Sequence, residues 1–214
     1  MLTKEQVRTM LSMQSAMNGK VNPDWVNADN NWLLAATLEA AEAVDHHGWK
    51  WWKKQTPNMP QLRMELVDIW HFILSEWIVT SDGDLELAEA SVTHMASPAR
   101  FIPSWVKGND LLGNLQYLIS TLAAGDPSVP EFMYVLAQAG MSTDDLYRQY
   151  VGKNVLNFFR QDHGYKEGTY VKVWDGREDN EHLTEILDTL SADDPDLDSK
   201  LATALNERYR ELCL

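Results

Sequence analysis

The chain has 214 residues, enough for one large domain whose core buries roughly 70% of the surface of the unfolded chain. Its 18 Lys+Arg against 32 Asp+Glu give a net charge of −14, which argues against a basic stripe gripping nucleic acid and suits a protein that gathers divalent cations. A single cysteine, Cys213, excludes an intrachain disulfide framework and a thiolate zinc site. No run approaches the ~18 apolar residues of a membrane span, and the amphipathic N-terminus lacks the apolar core of a signal peptide. A cytoplasmic protein with no membrane and no nucleic-acid partner is therefore expected.

Helical periodicity dominates the chain. Val7, Met10, Leu11, Gln14 and Asn18 predict a first helix that ends at Gly19 and the turn Asn22-Pro23-Asp24. Asp29-Asn30-Asn31 offers N-caps for a helix from Trp32 to His46, stopped by Gly48. Pro57 and Pro60 bracket a turn before a long buried helix, Leu62–Thr80. Asp84–Met95, Asp110–Ala124, Glu131–Ala139 and Thr143–His163 follow, separated by Pro and Gly. After Gly164 the helical stripe disappears until Glu181–Leu190 and Asp198–Leu212. Val129–Phe132 and Tyr170–Trp174 are open to extended structure, though nothing demands a sheet. The expectation is an all-α, multi-helix bundle. Residues 1–180 are expected to form one compact domain, in which about 82–141 has no assigned role, and residues 181–214 an acidic helical appendage.

Two acid pairs stand in apolar helical runs. Glu39 and Glu42 lie three apart among Ala, Leu and Val, and Glu65 and Asp68 repeat the spacing in LRMELVDIWHF. Residues three apart share a helix face and a turn, where like charges repel and burial without a partner costs more still. Hard oxygen ligands facing across two helices suit Mg²⁺. Solvated acids on amphipathic helices are the plainer reading of the same spacing. Glu76, further along the same face, is either a fifth member or simply exposed.

A cationic stripe follows near the end of the bundle. On a 3.6-residue helix Lys153, Asn157, Arg160 and Gln161 fall within about 100° of one another. The turn at Gly164-Tyr165-Lys166 can bring Lys166, Lys172 and Arg177 alongside. Cations facing carboxylates suggest an anion held against a metal, and a helix face paired with the acidic tail explains the same charges. Phe72 shares the face of Glu65 and Asp68, where an aromatic either stacks on a base or fills the core. Trp49-Lys50-Trp51-Trp52-Lys53-Lys54 mixes three rings with three cations and reads as a rim or lid. His46, His47 and His71 lie near these segments and are left out of the metal set.

Taken together, these segments resemble the dimeric, all-α dUTPases of the all-α nucleoside-triphosphate pyrophosphatase superfamily. The matching pieces are Gln14-x-x-x-Asn18, Glu39-x-x-Glu42, the WKWWK run, Glu65-x-x-Asp68 with His71-Phe72, and KNxLNxFRQxxGYKxGTYxKxW from Lys153 to Trp174, trailed by Glu178-Asp179-Asn180. The resemblance implies Mg²⁺-dependent hydrolysis of dUTP to dUMP and pyrophosphate by a homodimer whose site draws on both subunits. It also implies Glu39, Glu42, Glu65 and Asp68 as metal ligands, with Glu39 or Glu42 as the catalytic carboxylate. Gln14 and Asn18 would read uracil, and Trp52 and Phe72 would frame base or sugar. Lys153, Asn157, Arg160, Tyr165, Lys166, Lys172 and Asn180 would serve the phosphates and deoxyribose. Preference for dCTP, or for both dCTP and dUTP, a broad housecleaning pyrophosphatase, and a non-enzymatic helical dimerisation module are the alternatives.

Overall fold

The computed structural model describes residues 1–97, 108, 110–190 and 196–213. Part of the 82–141 stretch, and the link between the last two helices, therefore lie outside the described residues. Helix α1 runs Lys4–Val21, opened by a capping box in which Thr3 and Gln6 bond each other's backbone N–H. Gly19 does not end this helix: the chain stays helical to Val21 and leaves only before Asn22-Pro23, because a lone glycine weakens a helix while proline cannot continue it. Helix α2 spans Trp32–His47, capped by the Asn31 side chain, and ends at Gly48, whose φ of 84° is the left-handed conformation glycine adopts freely.

Helix α3 spans Met59–Thr80, capped by Asn58, with Pro60 in the first turn where no N–H is needed. Then come α4 (Leu85–Met95), α5 (Leu111–Ala123), α6 (Val129–Gln138), α7 (Thr143–Asp162), α8 (Asp179–Thr189) and α9 (Leu197–Cys213). Val129–Phe132 is not extended; it forms the first turn of α6, again with proline at the start. A two-stranded antiparallel hairpin, β1 (Val173–Trp174) and β2 (Arg177–Glu178), precedes α8. Its turn residues Asp175 and Gly176 both take positive φ, 46° and 79°, the geometry that matches strand twist and that Asp-Gly favours.

The architecture is all-α, and two apolar clusters hold it. The larger gathers α1 to α7 around Trp70, Phe132, Leu66 and Ile73, with Trp70 stacked on Phe132 at 5.0 Å. In α2 the buried face is Ala36, Ala40 and Ala43, and these small side chains let α3 pack close along it. The smaller cluster joins the second half of α7 to the hairpin, α8 and α9 through Phe159, Trp174, Leu187, Leu201, Leu205 and Tyr209. Met13 and Tyr147 touch both.

Leu205 is fully buried in this second cluster. Leu205→Ala should cost about 2–5 kcal/mol in urea denaturation, the usual cost of such a cavity. A loss below ~0.5 kcal/mol, the range of an exposed site, would mean that α9 is not docked.

Candidate active site

Glu39 and Glu42 project from α2, and Glu65 and Asp68 from α3, beside the alanine seam where the two helices meet. One ligand oxygen from each of Glu39, Glu42 and Glu65 lies within 4.8 Å of the others. Burial, then the Asp68 and Glu42 charges, raise the Glu39 pKa to about 7. Burial, then Asp68 and Glu39, raise Glu65 to about 8. His46, from the end of α2, approaches Glu65 with Nε2 at 3.3 Å from Oε1. Three carboxylates that close, one buried, one half-buried and one exposed, could hold a divalent cation, the hard charge that offsets their repulsion.

Asp68 is engaged differently. Lys153 of α7, 3% exposed, donates from Nζ to Asp68 Oδ2 at 2.8 Å and to Asn180 Oδ1 at 2.9 Å. One turn beyond Asn157 on that helix, Arg160 is gripped by Asp179, with Nε and Nη2 each 2.7 Å from a carboxylate oxygen. Its Nη2 also reaches Asn180 Oδ1 at 3.3 Å, and Nη1 reaches Asn157 Oδ1 at 3.4 Å. Tyr165 lies under the guanidinium, 5.8 Å from its ring centre. Lys172 pairs with Glu178 at 3.0 Å.

These groups line one cleft of about 510 Å³: the four acids, His46 and Gln61 on one side, and Lys153, Arg160, Tyr165, Lys172, Asn180 and their acidic neighbours Glu178 and Glu181 on the other. A larger cleft of about 640 Å³ at the start of α2 contains Glu76 with Leu33, Leu34 and Thr37, and no Lys or Arg lines it. Glu76 thus lines a different cleft from the other four acids. Among the other expected residues, Lys166 is spent on the Val21 carbonyl oxygen, Arg177 pairs with Glu185, Trp52 is 57% exposed, and Phe72 stacks on Trp32. None of these four lines the cleft, and neither do Gln14, Asn18 and Asn157.

Gln14 and Asn18 lie on consecutive turns of α1 in a buried polar chain. Gln14 Nε2 donates to Asn18 Oδ1 at 2.9 Å, Asn18 Nδ2 to Ser75 Oγ at 2.9 Å, and Ser75 Oγ to the His71 carbonyl at 3.0 Å. Gln14 Oε1 lies 2.7 Å from both His71 Nδ1 and the Tyr150 hydroxyl, and the His71 ring stacks on Tyr150 at 4.0 Å. Burial lowers the His71 pKa to about 3, so the ring is neutral. With its proton on Nδ1, facing the Gln14 oxygen, His71 keeps Nε2 as an acceptor that is buried without a partner among the described residues.

Sequence reading passed over His71, Tyr150, Tyr170 and Asp179 as site residues. His71 was visible beside Phe72, and Asp179 beside Asn180, but their partners are distant in sequence. The helices thus bring the carboxylates and the cations to opposite walls of one cleft. Comparison with family models matches residues 6–165, about three quarters of the chain, to the family described as dUTPase. The chain belongs to that family of all-α nucleotide pyrophosphatases. Comparison with curated proteins returns no match.

Raised carboxyl pKa values link the site to stability. Below the ordinary carboxyl range Glu39 and Glu65 are protonated whether folded or not, and their contribution to stability is fully present. It is lost as pH rises through about 7 and 8, since the folded form resists ionisation. In chelator, the melting temperature should fall between pH 5 and pH 8.5, and Glu39→Gln should flatten that slope. A wild-type slope that Glu39→Gln leaves unchanged would contradict the repulsion.

Proposed function

We propose that the protein hydrolyses dUTP to dUMP and pyrophosphate with Mg²⁺, limiting the uracil available for incorporation into DNA in a cytoplasmic setting. The observation that carries this reading is the single cleft in which Glu39, Glu42 and Glu65 face Lys153, Arg160 and Lys172. The three glutamates, with Asp68, would hold the metal, which when bound supplies charge neutralisation on the phosphate oxygens and a more acidic attacking water. Lys153 and Arg160 bind the polyphosphate and stabilise the charge that grows on the leaving group. Glu39 or Glu42, beside the metal position, would orient the water or take its proton.

The buried chain around Gln14 supports uracil over cytosine. Uracil presents an N3–H donor between two carbonyls, whereas cytosine N3 is an acceptor. A neutral His71 offering only an acceptor at Nε2 suits the former. A homodimer accords with the exposed apolar pair Leu34 and Leu38 on α2, 52% and 58% exposed, near the entry of the helix.

The test is release of pyrophosphate from a panel of nucleoside triphosphates, with and without Mg²⁺. Mg²⁺-dependent turnover of dUTP well above dCTP, dTTP and ATP is expected, and equal turnover of all four would replace the reading by a housecleaning activity. Gln14→Ala should narrow the dUTP/dCTP ratio of kcat/KM by roughly 5- to 100-fold, the worth of one matched polar partner in a dry pocket. An unchanged ratio would remove Gln14 from base recognition.

A further inference from the structure

We propose that Asp179 and Tyr170, braced by Tyr209 of α9, are positioning residues that aim the Arg160 guanidinium into the cleft, so that the C-terminal helices are part of the active site. The inference rests on the reading of this cleft as a phosphate site. The family-model match ends at residue 165; Tyr170 and Asp179 fall in the stretch that resembles the family by motif, and Tyr209 lies beyond both.

A guanidinium is planar and its donors are fixed as a fork, so a carboxylate bonded to two of them sets the whole plane. Asp179 does this for Arg160 through Nε and Nη2, both at 2.7 Å, and Asp179 itself is 0% exposed. Burial alone would push the Asp179 carboxyl up, and the Arg160 fork and the Tyr170 hydroxyl hold it below its ordinary value instead. Tyr170 donates to Oδ2, the oxygen that also accepts from Arg160 Nε, at 2.8 Å.

Its ring is not free to move. Tyr170 stacks on Tyr209 at 5.7 Å and 18°, and Tyr209 meets Trp174 and Phe159 edge-on at 5.2 Å and 5.4 Å. Phe159 is the residue before Arg160 on α7. A continuous set of contacts thus runs from α9 through two rings, a hydroxyl and a carboxylate to the cation on the cleft wall. With the Nε and Nη2 edge held by Asp179, Nη1 keeps only a long bond to Asn157 Oδ1 at 3.4 Å, and Arg160 and Tyr165 both line the cleft.

The test uses the full chain and two readouts, calorimetric binding of Mg²⁺–pyrophosphate and steady-state hydrolysis of dUTP. The variants are Arg160→Lys, Tyr170→Phe, Asp179→Asn and the double Arg160→Lys/Asp179→Asn. Tyr170→Phe keeps the ring against Tyr209 and removes only the hydroxyl, so it reports even if Asp179→Asn folds poorly. It should weaken pyrophosphate binding about 3- to 10-fold with Mg²⁺ binding unchanged. Asp179→Asn should lower kcat/KM by about 100-fold alone but by less than ~3-fold in the Arg160→Lys background, because a residue acting through Arg160 has little left to lose there. Wild-type pyrophosphate affinity in Tyr170→Phe, or losses that multiply in the double variant, would overturn the proposal. A wild type that binds pyrophosphate with these variant effects yet leaves dUTP intact would overturn the function reading and keep the positioning.

Discussion

The ion pair between Lys153 and Asp68 joins the two halves of the molecule at the cleft. Asp68 belongs to α3 in the larger apolar cluster, and Lys153 to the part of α7 that opens the smaller one. Both side chains are mostly buried, at 4% and 18% exposure, so removing either partner strands the other at a cost of about 3–5 kcal/mol. The same ammonium also bonds Asn180, which carries the link on to α8. One cation thus sets the distance between the wall that carries the acids and the wall that carries Arg160.

Fold stability and site chemistry pull in opposite directions here. Glu39, Glu42 and Glu65 gather beside a seam of alanines that could have been covered by apolar side chains. The raised pKa values of Glu39 and Glu65 reflect the opposition: the folded state resists their ionised forms. What offsets this is the packing below, where α3 buries Leu62, Leu66, Ile69, Trp70 and Ile73 completely. A close-packed core beneath a repulsive surface keeps the carboxylates at ligand spacing.

Much of this was legible in the residues. Periodicity located the helices to within a few positions, and Asn31 caps α2 where the Asp29-Asn30-Asn31 run offers a cap; Asp84 and Asp110, expected as first helical residues, are the N-caps of α4 and α5. Acid pairs at i,i+3 in apolar runs showed which faces of α2 and α3 would meet. The hairpin was present as Asp-Gly between Trp174 and Arg177, a stronger turn signal than the surrounding polar stretch suggests. Partners in three dimensions were not legible. Nothing local ties Tyr209 to Tyr170, or Tyr150 to Gln14 across more than a hundred residues, and these contacts exist only once helices from different parts of the chain pack. Glu76 shows the converse: helical phase alone aligns it with Glu65 and Asp68, but it lines a separate cleft at the start of α2, which no Lys or Arg lines.

The most direct measurement of the cleft as a cation site is a titration with Mn²⁺, a hard divalent probe visible by electron paramagnetic resonance, on wild type and on Glu39→Gln, Glu65→Gln and Glu76→Gln. Binding to wild type and to Glu76→Gln is predicted, with affinity reduced about tenfold or more in each of the other two. Wild type that leaves Mn²⁺ free, or affinity indifferent to Glu39 and Glu65, would contradict it.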